Sequence, residues 1–62
     1  MGDYQPGFWW IRDLSIKDGP NIFVIEDTRA IDPAMEMFEK QGKPYELGRF
    51  TEVVKKWEPK KD

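Results

Sequence analysis

Asp32-Pro33-Ala34-Met35-Glu36-Met37-Phe38-Glu39-Lys40-Gln41-Gly42 decides the fold, because it separates a mixed chain from an all-strand one. Read as a helix, every part of it has a job. Asp32 can accept hydrogen bonds from the first free backbone N–H groups, and Pro33 suits an opening position where its missing N–H is no loss. Strong helix formers fill the middle, with Glu36 toward the positive end of the helix dipole and Lys40 toward the negative end. Gly42 can adopt the left-handed conformation that ends a helix. Ala34, Met35, Met37 and Phe38 then supply the apolar stripe. A rival reading places Met35, Met37 and Gln41 on alternate positions of a strand. That strand would turn at Gly42-Lys43 and pair with Tyr45-Glu46-Leu47-Gly48-Arg49 as a second hairpin.

Upstream, Phe8-Trp9-Trp10-Ile11-Arg12-Asp13-Leu14 is short, aromatic and carries a β-branched residue, which predicts a strand. Asp18-Gly19-Pro20-Asn21 is a dense group of turn formers. Ile22-Phe23-Val24-Ile25-Glu26-Asp27 is the clearest strand in the chain. The short connection predicts an antiparallel hairpin. Downstream, Lys43-Pro44-Tyr45-Glu46-Leu47-Gly48 reads as a connecting loop anchored by Tyr45 and Leu47. Phe50, Val53, Val54 and Trp57 fit helical spacing, and the same segment also alternates as a strand would. Topology favours the strand, since a lone hairpin is marginal in water while three strands under a helix make a viable domain. The expected fold is therefore α+β: a small three-stranded antiparallel sheet with one helix packed on one face, in the order β-β-α-β.

The whole chain, 1–62, is expected to form a single domain with flexible ends at 1–6 and 59–62. A chain of 62 residues buries only about 60% of the surface its unfolded form exposes, so its core is thin. Cys is 0 and His is 0, so neither a disulfide nor an ordinary zinc site is expected to staple it, and no cofactor or metal is expected. Packing of aromatic rings, 15% of the residues, must carry stability.

The element order, with its Asp32-Pro33-Ala34-Met35-Glu36-Met37-Phe38 helix start, resembles the plan of some small phage-encoded proteins that bind and inhibit host enzymes. No functional residue is carried across on that resemblance.

Catalysis is not expected. The usual nucleophile and proton shuttle, Cys and His, are both missing. Ser15, Thr28 and Thr51 sit in or near loops and element ends, and Glu26 and Asp27, adjacent on a strand, point to opposite faces. The glycines are scattered in neither phosphate-binding pattern, and Asp13-Leu14-Ser15-Ile16-Lys17-Asp18-Gly19 lacks the acid spacing of a calcium loop. The formal net charge of −2 argues against a dedicated nucleic-acid binder. The charge is uneven, with Arg49, Lys55, Lys56, Lys60 and Lys61 against Glu52, Glu58 and Asp62 at the C-terminal end. That segment reads as a solvated basic tail. No signal segment or membrane span is evident, and a soluble cytoplasmic location is expected.

The strands are apolar on both sides. Phe8, Trp10 and Arg12 alternate with Trp9, Ile11 and Asp13, and Phe23 and Ile25 alternate with Ile22 and Val24. One helix covers one face, which leaves the other to a partner protein or to an ordinary core completed by Tyr4, Tyr45, Leu47 and Trp57. The expected function is that of a small protein-binding adaptor or inhibitor, with Trp9, Trp10 and Trp57 as anchors and Arg12 and Arg49 beside them. A sheet edge open to strand addition, by a partner or by a copy of the chain in a homodimer, is a second contact surface. Single-stranded nucleic acid stacked on the aromatic face, with Arg12, Arg49, Lys55 and Lys56 on phosphates, is the reading from another class.

Overall fold

The computed structural model describes residues 4–60. Met1 to Asp3 and Lys61-Asp62, the outer parts of the two expected flexible ends, lie outside the described residues. The chain runs β1 (Trp9–Asp13), β2 (Ile22–Ile25), a 3₁₀ turn (Thr28–Ala30), α1 (Ile31–Gln41), β3 (Tyr45–Arg49) and β4 (Glu52–Trp57). The four strands form one antiparallel sheet in the order β2-β1-β3-β4. The fold is thus α+β with the order ββαββ, which corrects the three-stranded ββαβ expectation.

The extra strand is β3, at the place expected to be a loop. Pro44 and Gly48 suggest a loop, but both serve the sheet. The Pro44 carbonyl accepts from the Leu14 N–H at 3.0 Å, just beyond the β1–β3 ladder. Gly48 stands where a neighbouring strand's ring must approach closely. Each rival reading of the middle segment therefore holds one half of the truth: residues 31–41 are helix, and Tyr45–Arg49 is strand.

Register assigns every strand residue to a face. Ile11 lies opposite Phe23 on one side and Leu47 on the other, and Leu47 lies opposite Lys55. Asp13, Tyr45 and Trp57 form a parallel row. These rows face α1, whose Ile31, Met35 and Phe38 close on Trp9, Ile11, Tyr45 and Leu47 as the core. Met37, expected in the buried stripe, is exposed, while Ile31 is fully buried. The helix starts earlier than the Asp32-Pro33 signal suggests, which adds Ile31 to the inward stripe of Met35 and Phe38, while Met37 lies outside that arc. Asp27 gives the entry cap, its carboxylate accepting the Arg29 N–H at 2.9 Å at the head of the 3₁₀ turn. Gly42, at φ 69°, closes the helix as expected, and the Lys43 N–H returns to the Phe38 carbonyl at 2.9 Å.

Polar bonds tie the helix to the sheet. The Tyr45 hydroxyl donates to Glu39 Oε2 at 2.5 Å, and Lys55 Nζ lies 3.7 Å from the same oxygen. Tyr4 packs edge-on against Trp9 and donates to Asp32 Oδ1, which is how Asp32 is engaged. The thinnest extent of the backbone is 16 Å, room for one sheet and one helix layer. Among the described residues no element lies over the other face, and no helix is long and apolar enough to cross a membrane.

Candidate functional site

The uncovered face is built from two rows that cross all four strands. One row is Val24, Trp10, Gly48 and Val53; the next is Ile22, Arg12, Glu46 and Lys56. Phe8, just before β1, and Phe50, in the β3–β4 turn, extend the first row's end of the sheet, joined by a 2.7 Å bond from the Phe50 N–H to the Phe8 carbonyl. The face is therefore divided. One end is apolar, and the other is a line of alternating charge in which Arg12 Nη1 meets Glu46 Oε1 at 3.0 Å.

Trp10 sits at the centre of the apolar end and is only 7% exposed. Three contacts hold its ring flat against the sheet. The ring lies across Gly48, where a Cβ would stand 1.9 Å from Trp10 Cζ2. Its Nε1–H donates to the Phe50 carbonyl at 2.7 Å. The Arg12 guanidinium stands 5.1 Å from the ring centroid. Trp10 is thus the floor of the face rather than a projecting anchor. Phe8, Val24 and Val53 around it, and Phe50 at the end of the sheet, are each between 51% and 56% exposed. A half-exposed Phe leaves roughly 100 Å² uncovered, so the patch amounts to a few hundred Å².

Phe50 is held under strain. Its φ of 55° makes it the one non-glycine residue with positive φ among the described residues. That conformation is an outlier for a bulky side chain and costs about 1–2 kcal/mol. The Arg49 guanidinium lies 5.0 Å from the Phe50 ring centroid, and Arg49 Nη2 donates to the Pro6 carbonyl at 2.9 Å. The ring also rests on Gly7, where a Cβ would stand 3.0 Å from it.

The five residues singled out in the sequence do not share one site. Trp10 and Arg12 belong to the open face. Trp9 is on the opposite side, 4% exposed beneath the helix, with its Nε1–H donating to the Gln5 carbonyl at 2.8 Å. Trp57 is half-buried on the helix side and stacks on Tyr45 with centroids 5.7 Å apart. Arg49 shares the Trp9 row and reaches round the sheet end to Pro6. Reasoning from side-chain size selects the tryptophans, yet the exposed rings are phenylalanines: Phe8 and Phe50 at one end of the sheet and Phe23 on its β2 edge. The strand-to-turn position of Phe50 could have been found only by recognising Phe50-Thr51 as a two-residue turn. The basic residues offered as phosphate contacts are dispersed: Arg12 pairs with Glu46, Lys55 with Glu39 and Lys56 with Glu58.

Elsewhere, an open cleft of about 540 Å³ is lined by Tyr4, Pro6, Gly7, Glu26, Asp27 and Thr28. Hydrogen bonds from Arg29 hold the Asp27 carboxyl below its usual range, so that group is already engaged. Asp13 is buried at the end of β1, where Oδ1 accepts from both the Ser15 N–H and the Ser15 hydroxyl. This arrangement closes a turn and uses the hydroxyl as a donor to a carboxylate. Comparison with known protein families, with curated proteins and with solved structures returned no match.

Proposed function

We propose that this chain is a small non-catalytic binding domain that docks on a larger protein through the apolar end of its open sheet face. The observation that carries the reading is the set of half-exposed side chains Phe8, Val24 and Val53 around the flat Trp10 ring, with Phe50 at the sheet end, on a face that no element covers among the described residues. Such a patch on a chain this small gains stability from contact with a complementary surface. The row Ile22, Arg12, Glu46 and Lys56 provides a polar rim beside it, as protein interfaces have. The strained turn at Phe50 fits the same role, since strain of this kind is kept where a side chain must be presented. The non-catalytic part of the reading is supported by the sequence's lack of Cys and His and by the turn-closing use of Ser15 and Asp13.

The test is site-specific crosslinking in cells that carry the protein. A photoreactive side chain at Val24 or Val53 is compared with one at Glu36 or Lys40 on the outer face of α1. Adducts to one larger protein from the open-face positions alone, lost on Phe50→Asp, support the reading. Equal adducts from both faces, or none from Val24 and Val53, defeat it.

A further inference from the structure

The two edges of the sheet are built differently. β4 carries Glu52, Lys55 and Lys56 and is broken by a register shift between the positions facing Leu47 and Gly48, all devices that discourage pairing. β2 has none of them: its four residues, Ile22-Phe23-Val24-Ile25, are apolar, and no shift interrupts their register with β1. Ile22, Phe23 and Val24 are each between 45% and 53% exposed. We propose that two copies of this chain pair antiparallel along β2, about a two-fold axis at Phe23. This goes beyond docking through the open face, because it uses the edge.

Hydrogen-bond phase fixes the register. The Asp13 N–H donates to the Asn21 carbonyl at 2.7 Å, so the odd-numbered positions Asn21, Phe23 and Ile25 turn their backbone groups toward β1. On the other flank of β1, the Leu14 N–H to Pro44 and the Phe50 N–H to Phe8 bonds show even positions turned toward β3, in the same phase. Ile22 and Val24 therefore point their N–H and C=O groups away from the sheet. An antiparallel copy that sets Ile22 against Val24 satisfies every one of these groups in both chains. No other two-fold register of β2 residues does so. Centring on Val24 leaves Ile22 facing the acidic Glu26 of the second copy.

The side chains agree with that register. Phe23 meets its own copy at a position where the strands' side chains come closest, on the helix side. Ile22 meets Val24 on the open face. Glu26 falls opposite Pro20, so no like charges oppose each other. Self-complementarity of this kind selects a second copy rather than an unrelated strand. The edge is short, well below the about 800 Å² per partner of a standard interface, so the dimer is weak, with a Kd of roughly 10 μM to 1 mM. In it, the sheets and the open faces of the two copies become continuous.

Sedimentation equilibrium from about 10 μM to about 2 mM spans that range. The expected result is a rise toward twice the monomer mass. Val24→Pro removes only an outward N–H, leaves the β1 ladder intact and is expected to abolish the rise. Phe23→Lys and Phe23→Glu are each expected to stay monomeric, and their equimolar mixture to dimerise. A monomer at every concentration overturns the proposal. So does a dimer that survives Val24→Pro but is lost on Val53→Asp, which would place self-association on the open face instead.

Discussion

The two faces of this sheet use aromatic rings in opposite ways. On the helix side, Trp9 meets Tyr4 edge-to-face and Phe38 meets Tyr45 likewise, with centroids 5.6 Å apart in the second pair, and Trp9, Phe38 and Tyr45 are buried in the core. On the open side, Trp10 is buried by lying down across a glycine, while Phe8, Val24 and Val53 remain uncovered and Phe50 is uncovered at the sheet end. The helix face shows how a core is made when a second layer is present. The open face shows how one strand residue can be hidden without such a layer, provided its neighbour has no side chain. A tryptophan is thus no guide to the binding surface here, and smaller rings and valines form it.

The contrast is broken most severely at Gly48. Gly48→Ala puts a methyl group into the Trp10 ring and expels it, with loss of the bond to the Phe50 carbonyl. The expected loss is about 3–5 kcal/mol, enough to leave so small a domain largely unfolded by circular dichroism. Next come the paired truncations Ile31→Ala and Val24→Ala. The first removes a fully buried side chain and is expected to cost about 2–4 kcal/mol in urea denaturation. The second removes a half-exposed one and is expected to cost under about 0.5 kcal/mol. Equal losses at the two positions would mean that the open face is a second core.

Tyr45→Phe tests the tie between helix and sheet, with an expected loss of about 1 kcal/mol from the missing bond to Glu39. It also carries a pH signature. Burial, and then the hydrogen bond to Glu39, raises the Tyr45 phenol above its ordinary value of 10.0; burial and Asp32 raise Tyr4 to about 12. A phenol raised in the folded state contributes stability that is complete below pH 10.0 and lost as pH climbs through the raised values. Alkaline denaturation followed by tyrosinate absorbance should begin above pH 10.0 and start later in Tyr45→Phe. The smallest effect is expected at Phe50→Gly, where relief of the positive φ offsets the lost ring contacts on Gly7 and Arg49. Stability should change by less than about 1 kcal/mol, while adduct formation from Val24 and Val53 falls.

Much of the plan was legible in residue order. The β1–β2 hairpin and the helix with its Gly42 ending follow from local chemistry, because turn formers, caps and alternation act within a few residues, whereas the final strand, whose spacing fits helix and strand alike, followed from topology. β3 was legible in the alternation of Tyr45 and Leu47 with Glu46 and Gly48, but Pro44 and Gly48 argued against a strand. Their roles depend on Leu14 and Trp10, 30 and 38 positions away. The inward stripe of α1 was misplaced only at Met37: at about 100° per residue Ile31, Ala34, Met35 and Phe38 share one arc of the helix, and Met37 lies roughly 60° outside it.

By itself, the order of residues determined a mixed strand-and-helix chain with apolar side chains on both sides of its strands. It did so because backbone preference and alternation are local properties. Only tertiary structure decided which rings were hidden, since burial depends on what stands opposite each side chain. Trp10 is covered because register places it beside Gly48, and Phe50 is uncovered because it occupies the turn between β3 and β4.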